Sequence, residues 1–199
     1  LCGLNADQYV AIENCKTEDD HMDLTFDLIS QDRDSPTHVV IENKFKSLDG
    51  RDQLKTYDDK LSKKYEYHKP IKIYLTPLGK SPVSGTGWKI VSYSDLIGAL
   101  SSISYNKDPF VSEYKKNLDR LVYVINKVRS SPDVYVKDIF ESNETPSLFA
   151  KYVREAKLTK LLELTWMEEL ASLLFKDEET STINQHYNIE MGASMAGKS

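Results

Sequence analysis

The segment HVVIENKF, residues 38–45, constrains this chain more than any other. Its β-branched and apolar density is that of a central strand. Glu42 and Lys44 stand two positions apart, so both must leave the same face of that strand. A charged pair within an apolar strand means a buried ion pair, an exposed sheet face, or a site with a chemical purpose. Two further strands precede it. YVAIEN (9–14) and MDLTFDLI (22–29) both alternate, the second with Met22, Leu24, Phe26 and Leu28 on one side and Asp23, Thr25 and Asp27 on the other. The turn-rich QDRDSPT then leads into the third strand, which predicts an antiparallel meander.

From Asp49-Gly50 the period changes. RDQLKTYDDKLSKKY spaces Leu54, Tyr57 and Leu61 as one face of an amphipathic helix. KIYLTP (72–77) and WKIVSY (88–93) read as short strands separated by a Gly/Ser/Pro-rich loop, and Ser94 to Ile103 as a helix, giving the order βββαββα. Asp108-Pro109 supplies a cap and a first-turn proline for a helix striped with Phe110, Tyr114, Leu118, Leu121, Val122 and Ile125. Ser147 to Phe175 repeats the helical signature, with a break near Lys157. The expected fold class is α/β, an α+β mixed sheet over residues 1–104 with a mostly helical extension over 105–199.

Composition narrows the functional classes. With 40% hydrophobic residues, 29% charged residues and 12 tyrosines among 199, the chain is expected to fold. No apolar run approaches the roughly 18 residues that span a bilayer. The opening LCGLNADQYV lacks the basic-then-apolar order of a signal peptide and an initiator Met, so a fragment or processed chain is expected, with the natural protein extending beyond one or both ends. Cys2 and Cys15 could pair only once, which favours a reducing cytoplasm. The four histidines are scattered, with no HExxH or Cys/His cluster for zinc.

A net charge of −5 argues at first against nucleic acid, whose binding draws on Lys and Arg. The distribution argues the other way. Residues 44–89 hold 11 Lys and Arg against 5 Asp and Glu, a local +6 that leaves −11 elsewhere. Lys46, Arg51, Lys55, Lys63 and Lys64 are the candidate phosphate contacts in this segment; the plainer alternative is a solvated helix face.

Magnesium takes oxygen ligands, usually one or two carboxylates together with water and substrate phosphate. Asp23, on the polar side of its strand, and Glu42, 19 positions on across a turn, meet that demand. In this reading Asp23 and Glu42 hold Mg2+ or Mn2+ with help from the Asn43 carbonyl, and Lys44 orients or deprotonates the attacking water. An isolated ExK also occurs as a plain Glu–Lys pair.

The stretch from Val10 to Leu96 resembles the PD-(D/E)xK nuclease superfamily, in which an acidic residue, a turn and a (D/E)xK strand are followed by a helix. The matching pieces are HMDLTFDLI, HVVIENK and the helix with QLKTY. It looks most like a bacterial branch, for which this chain supplies in order Glu13, Asp23, Ile41-Glu42-Asn43-Lys44, Gln53-Leu54, Tyr57, Tyr74-Leu75-Thr76-Pro77, Gly79, Trp88 and Ser92-Tyr93. The resemblance implies a restriction-endonuclease-like fold, a divalent metal and cleavage of a nucleic-acid phosphodiester, DNA being the expected substrate. It aligns Glu13 with a first-strand acid that can join the metal ligands. Gln53 and Tyr57 match the QxxxY element of RecB-like nucleases, implying that they position a catalytic group or phosphate; packing of Tyr57 in the core is the alternative. Iron–sulfur relatives need four cysteines, and this chain has two.

Two other readings compete. A nuclease-like scaffold could bind DNA or a protein partner, or a second copy, through its helical half without catalysis. The terminal GASMAGKS, residues 192–199, fits the phosphate-loop pattern GxxxxGK[ST], but no helix follows it here to complete a nucleotide site.

Overall fold

A computed structural model describes residues 5–32, 35–45, 52–65, 69–77, 79, 81–82, 84–102, 108–131, 134–135, 138–139 and 147–163. Five strands form one sheet in the order β1-β2-β3-β4-β5: β1 (Tyr9–Asp19), β2 (Met22–Ser30), β3 (Thr37–Asn43), β4 (Ile71–Thr76) and β5 (Lys89–Ser92). The first three are the expected antiparallel meander, while β4 adds parallel to β3 and β5 parallel to β4. Helix α1 (Gln53–Lys64) makes the crossover that parallel pairing of β3 and β4 requires. The chain continues with α2 (Tyr93–Ser102), α3 (Pro109–Ser130) and α4 (Leu148–Glu155). This is the mixed α/β architecture expected from the order of elements.

Helix α1 lies on the sheet face that carries Val40, Glu42 and Tyr74. Its Leu54, Tyr57 and Leu61 pack with Met22, Val40, Tyr74 and Trp88 in one core cluster. In β2 the two fully buried residues are Met22 and Thr25, each 1% exposed, whereas Asp23 is exposed and Leu24, Phe26, Asp27 and Leu28 are half-buried. Helix α1 packs on the side where Thr25 pairs with Val40 of the core cluster. Asp58 on α1 ties the helix to the β4–β5 loop, accepting hydrogen bonds from Lys72 Nζ (2.6 Å), Thr86 N (2.7 Å) and Trp88 Nε1 (3.0 Å). Gly85 in that loop has φ +83, and a Cβ there would stand 2.7 Å from Leu54 Cβ, so only glycine permits the loop to close on α1.

β1 runs five residues past the strand expected from alternation. Asn14, at φ 52, sits at a bulge between Glu13 and Lys16 that breaks the period of two and lets the strand resume. The chain divides into two compact units, Leu1–Lys115 and Lys116–Ser199. Within the second, Leu121, Val124, Ile125, Val128, Val153 and Leu162 are buried. α4 ends at the expected break: Lys157 has φ 53, and Leu158 N–H reaches back to Val153 O (2.9 Å) in a Schellman turn that sets two buried side chains together. Among the described residues, no helix is long and apolar enough to cross a membrane. Residues 164–175 of the expected last helix, and GASMAGKS, lie outside the described residues.

Candidate active site

A two-residue turn, Asp20-His21, joins β1 to β2, and both residues have positive φ (54 and 71) as a type I′ hairpin demands. Asp23 follows at the start of β2. One step beyond the Leu24↔Ile41 pair, the β2–β3 register brings Asp23 opposite Glu42. Asp23 Oδ2 accepts the Asn43 N–H at 2.7 Å. The amide and carbonyl of one strand residue leave by the same edge, so the Asn43 carbonyl also faces the β2 side.

Glu42 is buried at 2% exposure. Its Oε1 accepts from Lys44 Nζ at 2.8 Å and from Gln53 Nε2 at 3.0 Å. Its Oε2 is buried too, and among the described residues no donor meets it within hydrogen-bond geometry. Lys44 Nζ donates again to Gln53 Oε1 at 2.7 Å, so the glutamine grips both members of the pair. Gln53 Nε2 also donates to Tyr57 OH (2.7 Å), one turn along α1, and Tyr57 OH donates to His21 O (2.7 Å). The chain of bonds therefore runs from β3 through α1 to the turn that delivers Asp23. Lys60 Nζ holds the neighbouring Asp20 O at 3.2 Å.

Burial pushes the Glu42 carboxyl above its ordinary value, Lys44 pulls it back by hydrogen bond and charge, and the Asp23 charge pushes it up again. Burial likewise raises the Tyr57 phenol, which stays protonated as a donor. A buried carboxylate is costly unless fully paired. Here one oxygen is compensated and the other is not. Asp23 and Glu42 face each other across β2 and β3, and with the Asn43 carbonyl on the same edge they are hard oxygen donors of the type a small divalent cation takes.

The other sequence candidates fall as follows. Glu13 is exposed and stands opposite Asp27, four residues along β2 from Asp23 and so about 13 Å away by strand rise. Among the described residues, no three His, Cys, Asp or Glu side chains gather as a ligand set. Lys55 and Lys63 are exposed on α1. Lys64 leans on the hairpin, 3.5 Å from Asp19 and 3.7 Å from Asp20. Tyr57 is 5% exposed, its ring in the core and its hydroxyl occupied. Lys46 and Arg51 lie outside the described residues.

One residue to which the sequence assigned no role is Tyr93, the first of α2. It is 4% exposed, and its hydroxyl donates to Asn43 Oδ1 at 2.8 Å. Burial drives its phenol up to about 12. The only sequence signal for it is its place at the end of the ordered pattern, 50 residues after Asn43.

The opposite end of α1 closes a different cluster. Asp27 Oδ1 meets His38 Nδ1 at 2.6 Å, Asp27 Oδ2 accepts from Asn14 Nδ2 at 2.8 Å, and His38 Nε2 pairs with Tyr65 OH at 2.9 Å. Burial pushes Asp27 up, but the bonds from His38 and Asn14 outweigh it and hold the carboxyl below its ordinary value.

No curated protein and no solved structure matches the chain. A family model, that of the PD-(D/E)XK nuclease superfamily, matches residues 5–154. That span includes every strand, α1, Asp23, Glu42 and Lys44, and it continues through α3 to the penultimate residue of α4. With three quarters of its length matched, the chain belongs to the PD-(D/E)XK nuclease superfamily.

Proposed function

We propose that this chain is a metal-dependent nuclease that hydrolyses phosphodiester bonds of DNA in the cytoplasm, with Mg2+ or Mn2+ as its ion. The observation that carries this reading is the buried Glu42 carboxylate, whose Oε1 is held by Lys44 and Gln53 while its Oε2 has no hydrogen-bond partner among the described residues. Asp23, Glu42 and the Asn43 carbonyl hold the ion. When bound, the ion supplies charge neutralisation at the phosphoryl group and a lowered pKa for water.

The remaining work belongs to the chain. An ammonium has three donors, and Glu42 and Gln53 take two from Lys44. The third would orient the attacking water, whose proton passes to solvent while the fixed positive charge favours the hydroxide; attack at phosphorus then breaks the bond to the leaving sugar oxygen, which takes up a proton from solvent. Gln53 keeps Lys44 and Glu42 in mutual register, and Tyr57 holds the turn ahead of Asp23. The basic segment from Lys44 to Lys89, including Lys46, Arg51, Lys55 and Lys63, attracts backbone phosphate.

The direct test is incubation of plasmid and single-stranded DNA with the protein in Mg2+ or Mn2+, beside an EDTA control. Metal-dependent cleavage is the expected result. Binding of DNA without cleavage in either ion would replace this reading with a non-catalytic, nuclease-like binding module.

A further inference from the structure

Metal-site residues are usually sought on the face where the carboxylates project, and α1 braces that face through Gln53 and Tyr57. Asn43 lies between Glu42 and Lys44, so its side chain leaves by the other face of the sheet. There it meets Tyr93. Resting on the proposed function, we propose that Tyr93 is a positioning residue for the metal centre: through the Asn43 side chain it sets the peptide that joins Asp23 to Glu42.

The connection is short. Tyr93 OH donates to Asn43 Oδ1 at 2.8 Å, and the backbone N–H of the same asparagine donates to Asp23 Oδ2 at 2.7 Å. One residue thus carries a fixed side chain on one face and a main chain that orients a carboxylate beside the other. The N–H that holds Asp23 belongs to the Glu42–Asn43 peptide and the carbonyl on the same edge to the Asn43–Lys44 peptide, so a displacement of Asn43 itself would move both. Tyr93 restrains that displacement.

Tyr93 is itself rigidly mounted. Ser92 caps α2, its Oγ accepting the Asp95 N–H at 3.0 Å while the Asp95 carboxylate accepts Ser92 N–H at 2.9 Å and Ser92 O–H at 2.6 Å. Gly79, at φ +67, comes close behind: a Cβ there would stand 3.1 Å from Ser92 Cβ. The Phe45 ring stacks with Tyr93, centroids 6.3 Å apart and planes 18° from parallel. The parallel pairing of β4 with β5 carries Ser92 alongside Thr76, so the β4–β5 end of the sheet holds the anchor that β3 uses. A tyrosine with this mounting does more than fill space, because phenylalanine would fill the same space without reaching Asn43.

The test compares Tyr93→Phe, Asn43→Ala and the double variant. In metal-free protein, the Asn43 amide resonance and its hydrogen-exchange rate report the bond to Asp23 without any reference to cleavage. Tyr93→Phe should speed that exchange and weaken Mn2+ binding about three- to tenfold, the range expected for one net hydrogen bond. The double variant should bind Mn2+ no more weakly than Asn43→Ala, because Tyr93 acts through that side chain. Cleavage at saturating Mn2+ should recover most of its rate in Tyr93→Phe, as positioning of the ion rather than the water step is affected. An unchanged Asn43 amide, wild-type Mn2+ affinity in Tyr93→Phe, or additive losses in the double variant would overturn the role of Tyr93. A wild-type chain with no affinity for Mn2+ would instead overturn the site's reading as a metal centre, and this role with it.

Discussion

His38 and Glu42 stand four residues apart on β3, and each anchors a polar cluster beneath one end of α1. The cluster at His38 is complete. Both oxygens of Asp27 have partners, and both ring nitrogens of His38 do too. The cluster at Glu42 is built from the same kinds of bonds yet leaves Oε2 with none among the described residues. Burial raises both carboxyls; hydrogen bonds reverse the shift at Asp27 and fail to do so at Glu42. On the proposed function, the difference separates a polar network that holds the fold from one that would take a ligand.

The largest effects should come from closing the open cluster. Glu42→Gln and Asp23→Asn keep size but remove ligand charge, so each should lose Mn2+ binding and cleavage together, with rates falling at least about a thousandfold. Calorimetry and a plasmid assay check both, and a folded Glu42→Gln variant that binds Mn2+ normally would erase the contrast between the clusters. Lys44→Ala should fail differently. Metal affinity holds or rises, while single-turnover cleavage drops by about 10²–10⁴-fold, since the lysine serves the water step.

At the complete cluster, Asp27→Ala strands Asn14 and His38. It should lower stability by about 1–3 kcal/mol in denaturant unfolding while leaving cleavage at permissive temperature near wild type. Loss of activity with unchanged stability would mean that the two clusters are one functional unit.

Acid should separate the clusters by sign. The folded-state value of Glu42 lies above its ordinary 4.5, so in EDTA its stabilising increment is full below that value and lost as pH rises through the raised one. The lowered Asp27 contributes above its ordinary 3.8 and is lost as pH falls through its depressed value. Metal competes with protons for Glu42, so the rise in Tm on adding Mn2+ should shrink on acidification sooner than an ordinary carboxylate would allow. Tm across pH, with and without Mn2+, reads this directly, and Glu42→Gln should flatten the metal response. The smallest effect is expected on the exposed face of α1: Lys55→Glu with Lys63→Glu should weaken DNA binding a few-fold and make it less sensitive to salt. A salt series that matches wild type would detach this basic segment from the open cluster.

Much of the open cluster is legible in the sequence because strand alternation and helical spacing are local rules. Alternation alone puts Glu42 and Lys44 on one face, and a four-residue interval puts Gln53 and Tyr57 on one side of α1. The complete cluster is not legible in this way. Asn14 reaches Asp27 only because a bulge interrupts β1, and His38 meets Tyr65 only after α1 has crossed back over the sheet. The same limit hides Tyr93, which finds Asn43 across 50 residues and two parallel pairings. The burial of Thr25 in place of Leu24 is another tertiary outcome, decided by where α1 lands and not by the pattern within β2.

The Asp20-His21 turn bears on the order in which the molecule assembles. A left-handed backbone at two consecutive residues, neither of them glycine, disfavours this hairpin as an isolated unit. What steadies it comes from a helix more than 30 positions later: Tyr57 on the His21 carbonyl and Lys60 on the Asp20 carbonyl. The β1–β2 hairpin is therefore expected to be a poor nucleus despite its local pairing, its closure favoured once α1 docks. Loop closure would then weigh on the early barrier more than hairpin zippering, and the carboxylate of Asp23 would reach its place beside Glu42 only with the helix that locks Lys44.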